Sequence, residues 1–189
     1  VNYSTPTLNG EYPTNIVHQA GTNGGVYLGT RRGVYYRDNS LNDWQMFNNN
    51  LPVTTTSVQL IPYYREGKIR NGTNRSAFEC DFYGYSDPIA QITLEYLGDT
   101  YCPGNEVQFY ERSIMNEVGA KWEWTFEGGT PSTSTERAPL IEYAEHGKFT
   151  VSLTVTDTFG TDTQTLDSFI VVNNCYGVGV EEKVKTKNL

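Results

Sequence analysis

Three large aromatic side chains, Trp122, Trp124 and Phe126, occupy alternate positions of the stretch "KWEWTF". In an extended strand that spacing places all three rings on one face, opposite Lys121, Glu123 and Thr125. Such a row can stack on the C–H face of a sugar, or it can fill the space between two sheets. Large aromatics fill small cores before they decorate surfaces, so burial is the expected fate of Trp124. Trp122 lies nearer the strand end, is expected to be only partly covered, and stands as a stacking candidate. The pairs Tyr35-Tyr36 and Tyr63-Tyr64 send one ring to each face of a strand, which makes Tyr36 and Tyr64 further binding candidates wherever the opposite face is uncovered.

Polar groups suited to chemistry are sparse. His18 and His146 are the only histidines, and neither is clustered with a cysteine or a second histidine, as a transition-metal site would require. His146, in "EHGKF" just ahead of a glycine, reads as a solvated turn residue. Asp157 and Asp162 flank the turn in "DTFGTD" and offer oxygen ligands for calcium, although solvating a turn is the commoner use of such carboxylates. Asp38, Asp43, Glu79 and Asp81 could supply the acid pair that glycoside hydrolysis needs, but acids are ordinary on a solvated surface. The chain has no Gly-x-Ser-x-Gly, no phosphate-binding Gly-Lys-Ser/Thr loop and no His-Glu-x-x-His. No catalytic residue is expected, and calcium is the one cofactor the sequence leaves open.

These groups must be positioned by β-structure. Thr, Tyr, Asn, Gly and Val are abundant while Leu and Ala are scarce, a mix that favours short strands and tight turns over helices. The 14 basic and 22 acidic side chains, net charge −8, give no basic face for nucleic acid. No apolar run approaches the roughly 18 residues of a membrane span. The opening "VNYSTPTLNG" has neither the basic start nor the apolar stretch of a signal peptide, so the chain is expected to begin inside a longer protein.

A length of 189 residues accommodates two small β domains, and the pattern changes near Ser86. Before it, from about Asn15 to Tyr83, the chain breaks into about seven short runs punctuated by Gly and Asn. After it the strands are longer and alternate cleanly. In "FTVSLTVTD" the apolar Phe149, Val151, Leu153 and Val155 interleave with Thr150, Ser152, Thr154 and Thr156, which gives one dry and one wet sheet face.

The echo in "GGVYLGTRRGVYYRD", followed by Trp44, Phe47 and "NNNLP" and by a degenerate copy in "LIPYYREGKIRNGTNRSAFECDF", resembles the blades of secreted β-propellers of the BNR and sortilin-like kind. The first copy supplies four strands and the second three, as at the end of a propeller whose closing strand comes from an earlier part of the protein. Residues 1–84 are therefore expected to form partial propeller blades. "WEWTFEGGTP" and "APLIEYAEHGKFTVSLTVTDTFG" resemble the PKD domain, which implies an immunoglobulin-like β-sandwich over residues 85–173. Two positions depart from that pattern. Glu127-Gly128-Gly129 stands where Gly-Asp-Gly is usual, and Ile141 stands where a histidine often precedes the tyrosine, here Tyr143.

Residues 174–189 lose the alternation and read as a linker, and "VGVEEKVKTKNL" resembles the approach to the C-terminal sorting domain of bacterial proteins exported by the type IX route. Taken together, the resemblances imply an all-β, non-catalytic module of a larger secreted or surface-attached bacterial protein. Its implied partners are extracellular proteins or polysaccharides, in adhesion or polymer degradation, and the remaining propeller blades. The alternative is an accessory fragment of a secreted glycoside hydrolase or peptidase whose catalytic site lies upstream.

Three cysteines in an exported protein leave one unpaired if a disulfide forms. In an up-and-down reading of the sandwich, the first strand near "ITLEYLG" and the last, "SFIVV", run the same way, so "DTYCPGN" and "NNCYG" finish at one pole. A Cys102–Cys175 disulfide is expected on that reading, with three free thiols as the alternative. Cys80, in "AFECDF", reads as a small buried hydrophobe.

Overall fold

The computed structural model describes residues 6–47, 50–51, 54–95 and 100–175; the tail that carries the type IX resemblance lies outside the described residues. Among the described residues the regular structure is strand, apart from single 3-10 turns at Pro6–Leu8 and Tyr64–Glu66. The first unit opens with β1 (Pro13–His18), β2 (Val26–Thr30), β3 (Val34–Arg37) and β4 (Gln45–Met46), paired antiparallel in chain order. A second sheet follows from β5 (Ser57–Tyr63), β6 (Lys68–Thr73) and β7 (Ala77–Asp81). The division into four and three strands is the one read from the sequence.

The two sheets share a core in which Tyr27, Tyr36 and Phe47 meet Leu60, Ile69 and Cys80. Tyr35 points the other way, with Leu28, and that face is closed by Trp44 and Leu8. Both rings of the pair are therefore buried, Tyr35 at 3% and Tyr36 at 1% exposure. The expectation that Tyr36 offers an exposed stacking surface is corrected: the N-terminal segment covers one face and the second sheet covers the other.

Burial and the flanking charges of Asp81 and Glu79 push the Cys80 thiol up to about 12. Since the thiolate is the nucleophile, Cys80 in the native protein is expected to resist iodoacetamide at neutral pH and to react fully once unfolded. Comparable labelling rates in the two states would show that Cys80 is not buried as described.

The second unit is a sandwich. One sheet has the order β12 (Thr133–Ser134), β10 (Lys121–Phe126), β14 (Gly147–Thr156), β15 (Thr161–Val172). The other has β11 (Gly129–Thr130), β13 (Leu140–Tyr143), β9 (Asn105–Glu111), β8 (Ile92–Leu94). Register places Trp124 opposite Leu153 and Phe126 opposite Val151, so the apolar positions of two alternating strands coincide. Phe109, Ile141 and Tyr143 close the core from the facing sheet. Side chains of this kind contribute about 1.5–3 kcal/mol each when fully buried. Trp124 meets its one polar need by donating Nε1–H to the Glu136 carbonyl at 2.9 Å. On the wet face the hydroxyls pair across β14 and β15, Thr154 with Thr163 at 2.8 Å and Ser152 with Thr165 at 2.9 Å.

The departure at Glu127-Gly128-Gly129 has a local explanation. Glu127 accepts the Thr150 N–H at 3.0 Å, which holds its carboxyl below the usual carboxylate range. Gly128 sits at φ 66°, and a Cβ there would lie 2.3 Å from the Phe149 ring. The turn is thus fastened to β14 by a carboxylate and packed flat against an aromatic ring.

Cys102 and Cys175 are joined in a disulfide that spans 73 residues, with Cα atoms 5.4 Å apart. Tyr101 forms a parallel bridge with Val172, and the Asn173 N–H donates to the Tyr101 carbonyl at 2.8 Å. That parallel course is what brings both cysteines to one pole.

Candidate functional site

The joint between the two units holds a network of polar contacts that crosses the fold. Residues 82–88 connect the units, and the first unit binds this segment directly. Gln19, fully buried, donates Nε2–H to the Gly84 carbonyl at 2.9 Å and to Ser86 Oγ at 2.7 Å. Its Oε1 accepts the Tyr27 hydroxyl at 2.9 Å, and the Tyr27 oxygen in turn accepts the Tyr83 N–H at 2.8 Å. The Asp87 N–H donates to the Gly21 carbonyl at 2.7 Å. Gly21 has φ 74°, and a Cβ would lie 2.1 Å from the Asp87 carbonyl oxygen, so no other residue fits this approach without movement.

A charged strap lies beside this segment. Arg65, in the 3-10 turn after β5, reaches Glu111 at the end of β9 with an Nη2–Oε1 distance of 2.6 Å. Glu111 also accepts Arg137 Nε–H and the Ser113 N–H, each at 2.9 Å. Its side chain is completely buried. Burial pushes the Glu111 carboxyl up, but the hydrogen bond and charge of Arg65, with the Ser113 and Arg137 donors, outweigh it and hold the group below its ordinary range. The Glu117 N–H donates to the Arg65 carbonyl at 2.9 Å, so backbone and side chain of one residue both cross the joint.

These contacts leave a cleft of about 410 Å3 whose walls include Tyr64, Glu66, Asp81, Tyr83, Tyr85 and Phe159. Tyr64 is half-buried and its oxygen accepts the Ala20 N–H at 2.8 Å. Tyr85 stacks on Phe159 with ring centres 4.4 Å apart, and Tyr83 stacks on the buried Tyr36 at 4.2 Å.

The other sequence candidates lie elsewhere. Trp122 is half-buried against the sandwich core, with the Arg137 guanidinium 5.8 Å from its ring centre. Asp157 accepts the Asn116 and Phe159 N–H groups at 2.9 and 2.7 Å, and Asp162 accepts the Ala90 N–H at 2.7 Å. Asp157 and Asp162, the calcium candidates of the sequence, thus each bind a different part of the main chain. Among the described residues no three His, Cys, Asp or Glu side chains gather as a metal site. Asp38 binds its own turn through Ser40, Asp43 accepts the Thr7 hydroxyl, and Glu79 pairs with Lys68 and Arg70. His18 and His146 are exposed.

The PKD-domain family model matches residues 86–172. The PKD1 domain of Vibrio anguillarum Epp is 30% identical, over 47% of this chain and 98% of that one, with a TM-score of 0.37. The PKD1 domain of the Vibrio cholerae metalloprotease PrtV is 31% identical, over 47% of this chain and 99% of that one, with a TM-score of 0.36. No curated protein matches the chain. The chain belongs to the PKD-domain family through its second unit, a class of module that is generally non-catalytic. Among the described residues no helix is long and apolar enough to cross a membrane.

Proposed function

We propose that this chain is a rigid, non-catalytic extracellular module that fixes the orientation of neighbouring parts of a larger bacterial protein and contacts extracellular protein or polysaccharide. The observation that carries this reading is the joint: the connecting segment is hydrogen-bonded to the first unit while Arg65 is bound to the second. A module that only linked its neighbours flexibly would have no use for a buried charge pair across its hinge. The disulfide supports an oxidising compartment, hence a secreted or surface location. The four- and three-stranded sheets support reading residues 1–84 as terminal propeller blades, with β7 at the sheet edge where a closing strand would add. The tail's resemblance supports type IX export. A second reading, an accessory domain beside an upstream hydrolase or peptidase, is favoured by the relative that comes from a metalloprotease.

Backbone 15N relaxation tests the rigidity. Both units are expected to tumble with one overall correlation time, and two distinct times would remove the orienting role.

A further inference from the structure

We propose that the cleft at the joint is a binding site for a neutral saccharide, with Tyr83, Tyr85 and Phe159 as stacking surfaces and Asp81 and Asn116 as hydrogen-bonding partners. The proposal rests on the binding half of the function above. Concave sites of a few hundred Å3 at domain interfaces are where small-ligand binding concentrates, and this cleft of about 410 Å3 lies in that range.

The rings are exposed yet held in place. Tyr83 is 44%, Tyr85 78% and Phe159 37% exposed. Tyr83 lies nearly parallel to Tyr36 at 18° between planes, and Tyr85 to Phe159 at 19°. Each stack consumes one face of a ring and fixes its orientation, so little side-chain freedom is lost when a ligand docks on what remains. A pyranose offers flat C–H faces to such rings and hydroxyls at its rim.

The polar groups select among ligands by charge. The lining contains the acids Glu66 and Asp81 and no Lys, Arg or His, which disfavours phosphates, sulfates and uronic acids. Glu66 already has Arg70 at 3.8 Å, so the cleft does not present two free negative charges to a cation. Donors stand beside the acceptors. Asn116, a lining residue, uses Oδ1 to accept the Val118 N–H at 2.8 Å, which leaves its amide N–H groups to donate. Ser86 Oγ accepts from Gln19, which leaves its own proton to donate. A cation would use only the acceptors, whereas a hydroxyl both gives and takes.

Isothermal titration of the full chain with soluble gluco-, xylo-, manno- and chito-oligosaccharides, and separately with oligolysine, tests this. At least one neutral oligosaccharide is expected to bind. Tyr85→Ala and Asp81→Asn are each expected to weaken it by about tenfold or more, and Tyr12→Ala, which removes an exposed ring outside the lining, to leave it unchanged. Both cleft positions are exposed, so the variants should keep the wild-type melting curve. Failure of every neutral sugar, or binding that survives both cleft variants, overturns the proposal. Binding of oligolysine alone also overturns it while leaving a protein-binding module intact, and none of these outcomes alters the tumbling test of rigidity.

Discussion

Loss of the Cys102–Cys175 bond, by reduction or by Cys102→Ser with Cys175→Ser, is expected to destabilise the second unit by about 4 kcal/mol. The bond closes a loop spanning 73 residues, and in the chain-entropy model a loop of that size removes about this much freedom from the unfolded chain. Non-covalent contacts at the same pole include the Tyr101–Val172 bridge, the Asn173 N–H to the Tyr101 carbonyl and the Cys102 N–H to Asn105 Oδ1. The end of β15 is also paired with β14, Val172 opposite Gly147 and Ile170 opposite Phe149, so the sulfur link acts chiefly on the unfolded chain. In a domain of this size the loss corresponds to a fall in melting temperature of roughly 15 °C or more. Trp122 and Trp124 lie in the second unit and Trp44 in the first, so tryptophan fluorescence during urea unfolding follows the second unit in a Trp44→Phe background. Cys80→Ala in all samples removes the third thiol from the comparison. Equal midpoints with and without reductant would show that the disulfide does not stabilise the fold.

What the sequence revealed and what it concealed follow the range of the interactions concerned. The alternation of "FTVSLTVTD" predicts its own buried and wet faces, and β14 buries Val151, Leu153 and Val155 accordingly. "KWEWTF" likewise announces Trp124 as core, since the period of a strand is local. The cysteine pairing was legible because strand direction around a sandwich constrains where loops end. Tyr36 failed as a surface candidate because its cover comes from Tyr83 and a distant sheet, and that of its neighbour Tyr35 from Leu8 and Trp44; no strand pattern encodes such cover. The main-chain partners of Asp157 and Asp162 were concealed for a related reason. Which backbone N–H groups lack a partner, and so claim a carboxylate, depends on how the β8 region and the loop at Asn116 pass them.

The cleft was half visible. Tyr64 stood out as one of a pair, but Tyr83 and Tyr85 sit in "FYGYSDP", which reads as a boundary, and Phe159 arrives from a turn far along the chain. Three aromatic residues within a Gly- and Pro-containing boundary were the available signal, because a free linker has no need of them.

Glu111→Ala is expected to cost about 3 kcal/mol, more than Arg65→Ala at about 1–2 kcal/mol, an order set by what each change leaves behind. Without Glu111, the largely buried Arg65 guanidinium, 20% exposed, loses its counter-charge, while Arg137 keeps Glu117 at 3.6 Å. Without Arg65, Glu111 still has Arg137 and the Ser113 N–H. The Arg65 variant should therefore act mainly on the joint, letting the two units tumble separately in the relaxation experiment. Acid should reproduce part of the Glu111 effect. Because the folded carboxyl is held below its ordinary value, the native state binds fewer protons than the unfolded chain as pH falls past about 4.3. The stabilisation is fully present above that point and is lost as pH drops through the lower folded value. Asp38, Glu79 and Glu127 are also held low, so the acid limb of the wild type alone is not diagnostic. The stability gap between wild type and Glu111→Gln isolates this one group, since glutamine keeps the shape and cannot titrate. That gap should be constant near neutral pH and shrink below about pH 4.3. A gap that persists unchanged into acid would mean that the joint is held by packing and backbone hydrogen bonds, with the Arg65–Glu111 charge contributing nothing.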